Sequence, residues 1–313
     1  MGIHLRTKPY QTYTQSQLGV GVHYGQVCLI KVLWTKGSSP ILDVYAVQQG
    51  DNVRRILADF TRQYAIKKND CISVMRPGSY QLLLLKAPDV SKTALHATVR
   101  SQVQEQVDFH TDDAIINVFD MPLQDNGTVK MIYAAVADKS LVQAQIDDIV
   151  AANFKLQALE VPEMALARIS SLYAEDELGM GMLYFAETHC ILNLTLQGKL
   201  YISHRIDISL QDLASPDKNE RIKMIKILLR HIQQALSYYK RHFSCPAIKY
   251  LSIAPLPIYL PYVQQYLAYY LTGVTVQPLD LTKLFICKYH LTPAQQAQCL
   301  PILGAALQGY KID

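Results

Sequence analysis

Three glycines, Gly19, Gly21 and Gly25, bracket His23 in the stretch LGVGVHYGQVCLIKVLW from Leu18 to Trp34. Their type and spacing mark a place where something comes close to the backbone, because glycine lacks a Cβ and takes angles closed to other residues. Val20 and Val22 alternate with glycines, Tyr24-Gly25-Gln26 makes a bend, and Val27 to Leu33 gives an apolar return strand. A glycine-rich turn early in a chain raises phosphate chemistry. A dinucleotide fingerprint requires a helix directly after its glycines, so that the pyrophosphate meets the helix N-terminus. Here Val27-Cys28-Leu29-Ile30 continues as a strand. A P-loop requires Lys-Ser or Lys-Thr after the last glycine, and neither pair follows.

A strand, glycine turn and strand hold phosphate differently in the opening hairpin of the actin, hexokinase and Hsp70 type of fold. That hairpin reads Asp-x-Gly, the carboxylate handling metal and water and the glycine clearing room for phosphate. Laid on it, the carboxylate position is Gly21 and the glycine position is His23. The shape survives without the chemistry, and an ordinary hairpin with no ligand accounts for the stretch equally well. Further along, MLYFAETH offers Tyr184 and Ala186 where a second Asp and Gly would stand.

The remaining chemistry-bearing residues are scattered. Six cysteines show no C-x-x-C, and nine histidines show no H-E-x-x-H and no Cys/His metal spacing. No G-x-S-x-G elbow is present. Neither a catalytic residue nor a metal ligand set is expected. A net charge of +4 is too small to argue for nucleic acid. With 313 residues, 50% hydrophobic and 18% charged, the chain has room for two domains with sizeable cores. No apolar run approaches the ~20 residues of a membrane span, and a cytoplasmic protein is expected.

The elements around the glycine turn follow from periodicity. A third strand is expected over Ile41 to Val47, a helix over Asn52 to Tyr64, and strands at Cys71 to Met75 and Tyr80 to Leu85. Residues 1–17 read as a lead-in. Ser91 to about Val107 reads as a helix, Ala114 to Asp120 and Lys130 to Asp138 as strands around Gln124-Asp125-Asn126-Gly127, and Leu141 to Asn153 as a helix. We expect residues 88–154 to form an inserted α+β subdomain of the first half, residues 1–176. The second half, residues 177–313, repeats the opening: Met182 to Leu196 and Lys199 to Ile208 around Gln197-Gly198. A long helix to Phe243 follows, bearing Lys218, Arg221, Lys223, Lys226, Arg230, Lys240 and Arg241. Its basic face suits solvent, an anionic membrane surface or an acidic partner. A helix over Ala294 to Leu307 is expected to dock back on the first half.

Three segments together resemble the PilM-type family of type IV pilus assembly proteins, in the branch serving mannose-sensitive haemagglutinin (MSHA) pili. They are the hairpin Leu18 to Val32, the run from VRSQVQEQVDFHTDDAIINVFDMP through VKMIYAAVADKSLVQAQIDDIVAANFKLQALEVPEMALARI, and IKYLSIAPLPIYLPYVQQYLAYYLTGVTVQPLDLTKLF with LPILGAALQ. Pro162, Glu163, Ala165 and Leu166 match a family D-x-P-E-x-A-L motif, with Glu160 at its aspartate. The resemblance implies an actin-like, ribonuclease H-like two-domain fold. It also implies a scaffold held at the inner membrane by the cytoplasmic tail of a PilN-like bitopic partner. ATP-binding relatives carry Asp-x-Gly in the first hairpin and Gly-Gly where this chain has Ala254-Pro255. The resemblance therefore implies a degenerate nucleotide cleft at Gly19, Gly21, His23, Gly25, Ala186, Ala254, Pro255 and Gly304, with no cofactor. An ATPase using magnesium and unorthodox residues stays open as the alternative, and a nucleotide-binding assay separates the two. Arg100, Val118 and Phe119 are the candidates to line a groove for the partner's tail.

Overall fold

The computed structural model describes residues 15–23, 25–66, 70–104, 106–107, 111–122, 129–258 and 260–310. The expected turn at Gln124 to Gly127 and most of the lead-in lie outside these residues. The opening stretch forms β1 (Gln15–His23) and β2 (Gln26–Trp34), paired antiparallel with His23 opposite Gln26. Gly25 takes a φ of 70°, the left-handed angle that a two-residue hairpin turn demands. β2 continues antiparallel into β3 (Ile41–Gln49). Helix α1 (Val53–Gln63) starts where the Asn52 side chain accepts the Arg55 N–H, and buries Val53, Ile56, Leu57 and Phe60 at helical spacing. It returns the chain to β4 (Asp70–Val74), parallel to β1.

The chain then leaves this sheet. β5 (Tyr80–Lys86), α2 (Lys92–Val103), β6 (Ala114–Asp120), β7 (Met131–Asp138) and α3 (Lys139–Ala151) follow, and the strands pair antiparallel in the order β5-β7-β6. The three-stranded unit therefore begins at Tyr80 rather than at residue 88. Helix α3 is shared: Val142 packs under the small sheet, while Ile149 lies beside α1 in the core of the first half. β8 (Lys155–Glu160) re-enters the first sheet parallel to β4, and α4 (Pro162–Ser170) begins with proline at its first position, where the missing N–H costs nothing.

Beyond a 3₁₀ turn at Ala174–Leu178 the pattern repeats as β9 (Met180–Phe185), β10 (Cys190–Leu196) and β11 (Lys199–Ile206). Met182 to Leu196 is therefore two strands, not one. The Ala186 N–H donates to the His189 carbonyl and closes a turn that contains no glycine, which is why periodicity passed over it. α5 (Leu210–Leu213), α6 (Lys218–His242), β12 (Tyr250–Ile253), α7 (Pro261–Tyr270) and β13 (Thr275–Pro278) complete the half. On α6, Ile225, Leu228, Leu229, Ile232 and Tyr239 are buried at helical spacing, whereas Ile222 is exposed.

The two large sheets share one plan. Their strands run β3-β2-β1-β4-β8 and β11-β10-β9-β12-β13, each in the order third, second, first, fourth, fifth, with an antiparallel meander and two parallel additions. The chain then returns to the first half, as β14 (Ile286–Cys287) pairs with β3 and α8 (Pro293–Ala305) packs on α4, β1, β2 and β4. Five layers result. α1 and α3 cover one face of the first sheet, through Leu18, Val20, Val22 and Leu29. α4 and α8 lie between the sheets, against Ile30, Ile72 and Val74 on one side and Met182 and Ile191 on the other. α6 and α7 cover the outer face of the second sheet, through Leu192 and Leu194.

Candidate functional site

The turns of the two hairpins face one another across a cavity of about 480 Å³. Gly21, His23, Cys28, Val74 and Tyr80 line it from the first half, and Tyr184, Ala186, His189 and Arg205 from the second. Pro257 and Ile258 after β12, and Ala297, Pro301 and Ile302 of α8, complete much of the wall. It is a largely apolar space.

What approaches the glycines of β1 is α8. A Cβ on Gly19 would stand 2.5 Å from the Ile302 carbonyl oxygen, and one on Gly21 would stand 2.2 Å from Ile302 Cδ1. A side chain at Gly21 would thus collide with the Ile302 side chain. Gly304 makes the matching approach on the helix side, since a Cβ there would meet the Ala165 carbonyl of α4 at 2.1 Å. Arg168 secures this crossing. Its Nη1 donates to the Gly304 carbonyl at 2.6 Å, while the guanidinium makes a two-pronged pair with Glu160 at 3.0 and 2.5 Å.

The polar groups near the cavity are held neutral or paired. Burial, reinforced by the nearby Arg76 charge, pushes the His23 imidazole down to about 4, and its Nδ1 has no partner. His189 is likewise pushed down to about 4, chiefly by burial and then by Arg205. Arg205 pairs with Asp207 at 3.0 Å. Behind the wall, Glu163 is fully buried and burial raises it to about 7, against the opposing pull of its own backbone N–H, Tyr80 and Arg205. The Tyr80 hydroxyl lies 3.0 and 2.9 Å from its two carboxylate oxygens. Asn193 Nδ2 donates to the Glu163 carbonyl at 2.8 Å, joining β10 to the start of α4. A second buried set, Ser73 donating to the Val20 carbonyl and Gln145 Nε2 donating to Ser73 and to the Val74 carbonyl, ties α3 to the floor of the cleft.

Of the eight cleft residues read from the sequence, Gly21, His23 and Ala186 line the cavity. The other five do not. Gly19 lies under α8, Gly25 is the hairpin turn, and Gly304 is a helix crossing. Ala254 is buried with its N–H on the Leu183 carbonyl, and it is Pro257, not Pro255, that reaches the wall. The three groove residues are not brought together either. Val118 packs toward Leu95 and Val99 of α2, whereas Phe119 points through the opposite face toward Val142 and Val161. Alternation along one strand forces this. Arg100 lies on α2, on Val118's side.

Sequence reasoning missed Ile302, Tyr80, His189 and Arg205. Only Tyr80 carried a signal, a polar ring opening an apolar strand run. The others matter through contacts distant in sequence. Among the described residues no group of three or more His, Cys, Asp or Glu gathers at metal-binding distance, and no helix is long and apolar enough to cross a membrane.

No protein-family model matches the chain, and no curated protein matches it by sequence. Solved structures do. The PilM-PilN type IV pilus biogenesis complex is similar over 94% of this chain and 98% of that one, with a TM-score of 0.69 at 15% identity. The cytoplasmic domain of EpsL, an inner membrane component of the type II secretion system of Vibrio cholerae, covers 91% and 93% with a TM-score of 0.48 at 11% identity. A Bacteroides thetaiotaomicron protein with an actin-like ATPase fold and unknown function covers 93% and 98%, with a TM-score of 0.47 at 7% identity. The doubled strand order and the cleft between its hairpins define an actin-like, ribonuclease H-like α/β protein. Within that class, the first of these likenesses gives the chain a PilM-like fold.

Proposed function

We propose that this chain is a scaffold of type IV pilus assembly, of the MshI branch that serves MSHA pili, and that its actin-like cleft neither binds nor hydrolyses ATP. The observation that carries this reading is Ile302 in the space at Gly21 where a carboxylate would hold metal and water. The cleft offers a triphosphate two neutral imidazoles and an arginine already paired with Asp207. The reading that it works with a PilN-like bitopic protein, and so sits in the cytoplasm against the inner membrane, rests on the fold shared with the PilM-PilN complex. The tail of such a partner would pair with β6, an edge of the three-stranded sheet whose Ile115 is 42% exposed.

Deleting residues 88–154 is no test of that site, because it would cut β5 from its sheet and strip Ile149 and Phe154 from the first core. Paired lysines on the edge strand leave the core intact and block strand addition. Fluorescence anisotropy with a peptide copying the neighbouring bitopic protein's N-terminal tail should show micromolar binding that Ile115→Lys with Asn117→Lys abolishes. Calorimetry with millimolar magnesium-ATP should show no heat of binding. Turnover of ATP by the purified chain would sink the scaffold reading, and undiminished peptide affinity in the lysine variant would place the tail elsewhere.

A further inference from the structure

The outermost layer of the second half carries more positive charge than the whole protein. Helix α6 has seven basic residues against Glu220 alone, a net +6, while the entire chain has a net charge of +4. The rest of the chain is therefore net −2. The apolar side of α6 is committed to the second core through Ile225, Leu228, Ile232 and Tyr239. Spacing of three and four residues places Lys223, Lys226 and Arg230 on one outward face, and Lys240 and Arg241 rejoin it three turns later. All five are exposed. Among the described residues none of them has a carboxylate within ion-pair distance, and Arg241 bonds only the Ser237 carbonyl of its own helix.

An ordinary solvated helix intersperses both signs, which relieves self-repulsion and supplies pairs one turn apart. α6 does neither along the ~27 Å from Lys223 to Arg241. Its neighbour in the same layer, α7, has no charged residue at all. α7 instead exposes Tyr269 (77%) and Tyr270 (47%), whose rings meet edge to face, with Tyr270 also tilted against Tyr266. Lysines and arginines on one helix and exposed tyrosines on the helix packed against it combine attraction to phosphate headgroups with a side chain suited to the water–lipid boundary.

We propose that the α6–α7 face is a docking surface for an anionic lipid bilayer, adsorbing flat through the cation strip with the tyrosines at the headgroup level. This contact uses no partner chain and no feature of the cleft, so it stands apart from the scaffold reading above. The area is too polar to seat a second copy of the chain through burial, and that copy would bring the same charge.

The test is flotation of the purified full chain with vesicles of one-third phosphatidylglycerol in phosphatidylcholine, against phosphatidylcholine alone. Partition into the anionic vesicles is expected. It should fall steeply as salt rises from about 0.1 M to about 1 M, because the screening length shrinks from about 10 Å to about 3 Å. Neutralising three cations, as Lys223→Gln, Lys226→Gln and Arg230→Gln, should lower partition by about a hundredfold. The thermal midpoint should not move, since these side chains are exposed. Tyr269→Ala with Tyr270→Ala should lower it by a smaller factor with the salt dependence retained. Equal partition into both vesicle types, or anionic binding that survives the triple substitution, overturns the proposal. So does retention of polyglutamate without vesicle binding, which would give the face to an acidic protein instead.

Discussion

At the scale of single residues, the cleft is organised by groups that burial keeps uncharged, and they pull on stability in opposite directions. Glu163 titrates at about 7 in the folded protein against 4.5 for an unperturbed carboxyl, so the native state holds a proton that the unfolded chain has released. Its contribution is full below about 4.5 and is lost as pH rises through about 7. His23 runs the other way, at about 4 against 6.5, so its contribution is full above 6.5 and is lost as pH falls toward 4. Urea midpoints measured from pH 4 to pH 8 should separate the two. Glu163→Gln should flatten the alkaline limb and gain up to about 3 kcal/mol on the wild type near pH 8. His23→Gln should reduce the acid limb, with His189 supplying what remains, and leave the alkaline one unchanged. An alkaline limb that persists in Glu163→Gln would show that another group sets it.

At the scale of elements, two glycines of the hairpin, Gly19 and Gly21, exist for a helix. Gly21→Ala would drive a Cβ into the end of the Ile302 side chain, and overpacking of that kind costs about 1–3 kcal/mol. Shortening the neighbour should restore room: the double variant Gly21→Ala with Ile302→Val should be more stable than the two single losses added together predict. Gly19→Ala should show no such rescue, because its Cβ meets the Ile302 carbonyl, which is backbone. Additivity in the first pair, by thermal melts, would mean that α8 does not sit where we place it. The same contact explains what could be read from the sequence and what could not. The glycine pattern announced a close approach, and alternation around it gave β1, β2 and β3. Nothing local said which body approached, since Ile302 lies at the other end of the chain. The turn between β9 and β10 was hidden for a different reason: Ala186-Glu187-Thr188-His189 carries none of the residues that usually mark a turn. Val118 and Phe119 were grouped because neighbours in sequence look like neighbours in space, which a strand denies.

At the scale of the whole molecule, the three-stranded sheet spans both halves. Tyr133 on β7 is buried, and its hydroxyl accepts the Ser203 N–H of β11 at 2.7 Å. Met121, just past β6, packs against the second core. With Asn193 on the Glu163 carbonyl and Tyr173 on the Asp280 backbone, the halves are pinned at several points around the cleft. Tyr133→Phe leaves a buried N–H without its partner and should cost about 1–3 kcal/mol. Hydrogen exchange at Ser203 should then rise while exchange at Leu29, deep in the first sheet, stays the same. Equal loss of protection at both would mean that the sheet is not a separate clasp.

The return of the chain to its own beginning has a consequence for synthesis. Residues 286–305 supply the edge strand β14 and the helix α8 that cover Ile30, Ile72 and Val74 of the first sheet. A ribosome delivers them after every other strand of that sheet has emerged, at about 5–20 residues per second. For about 7–30 s the amino-terminal half waits with an uncovered apolar face and an unpaired strand. The first domain therefore cannot bury this face until the carboxy-terminal helix α8 has been made. The first sheet is completed only when α8 arrives, and a message cut short before Ile286 should yield a product prone to aggregation or proteolysis.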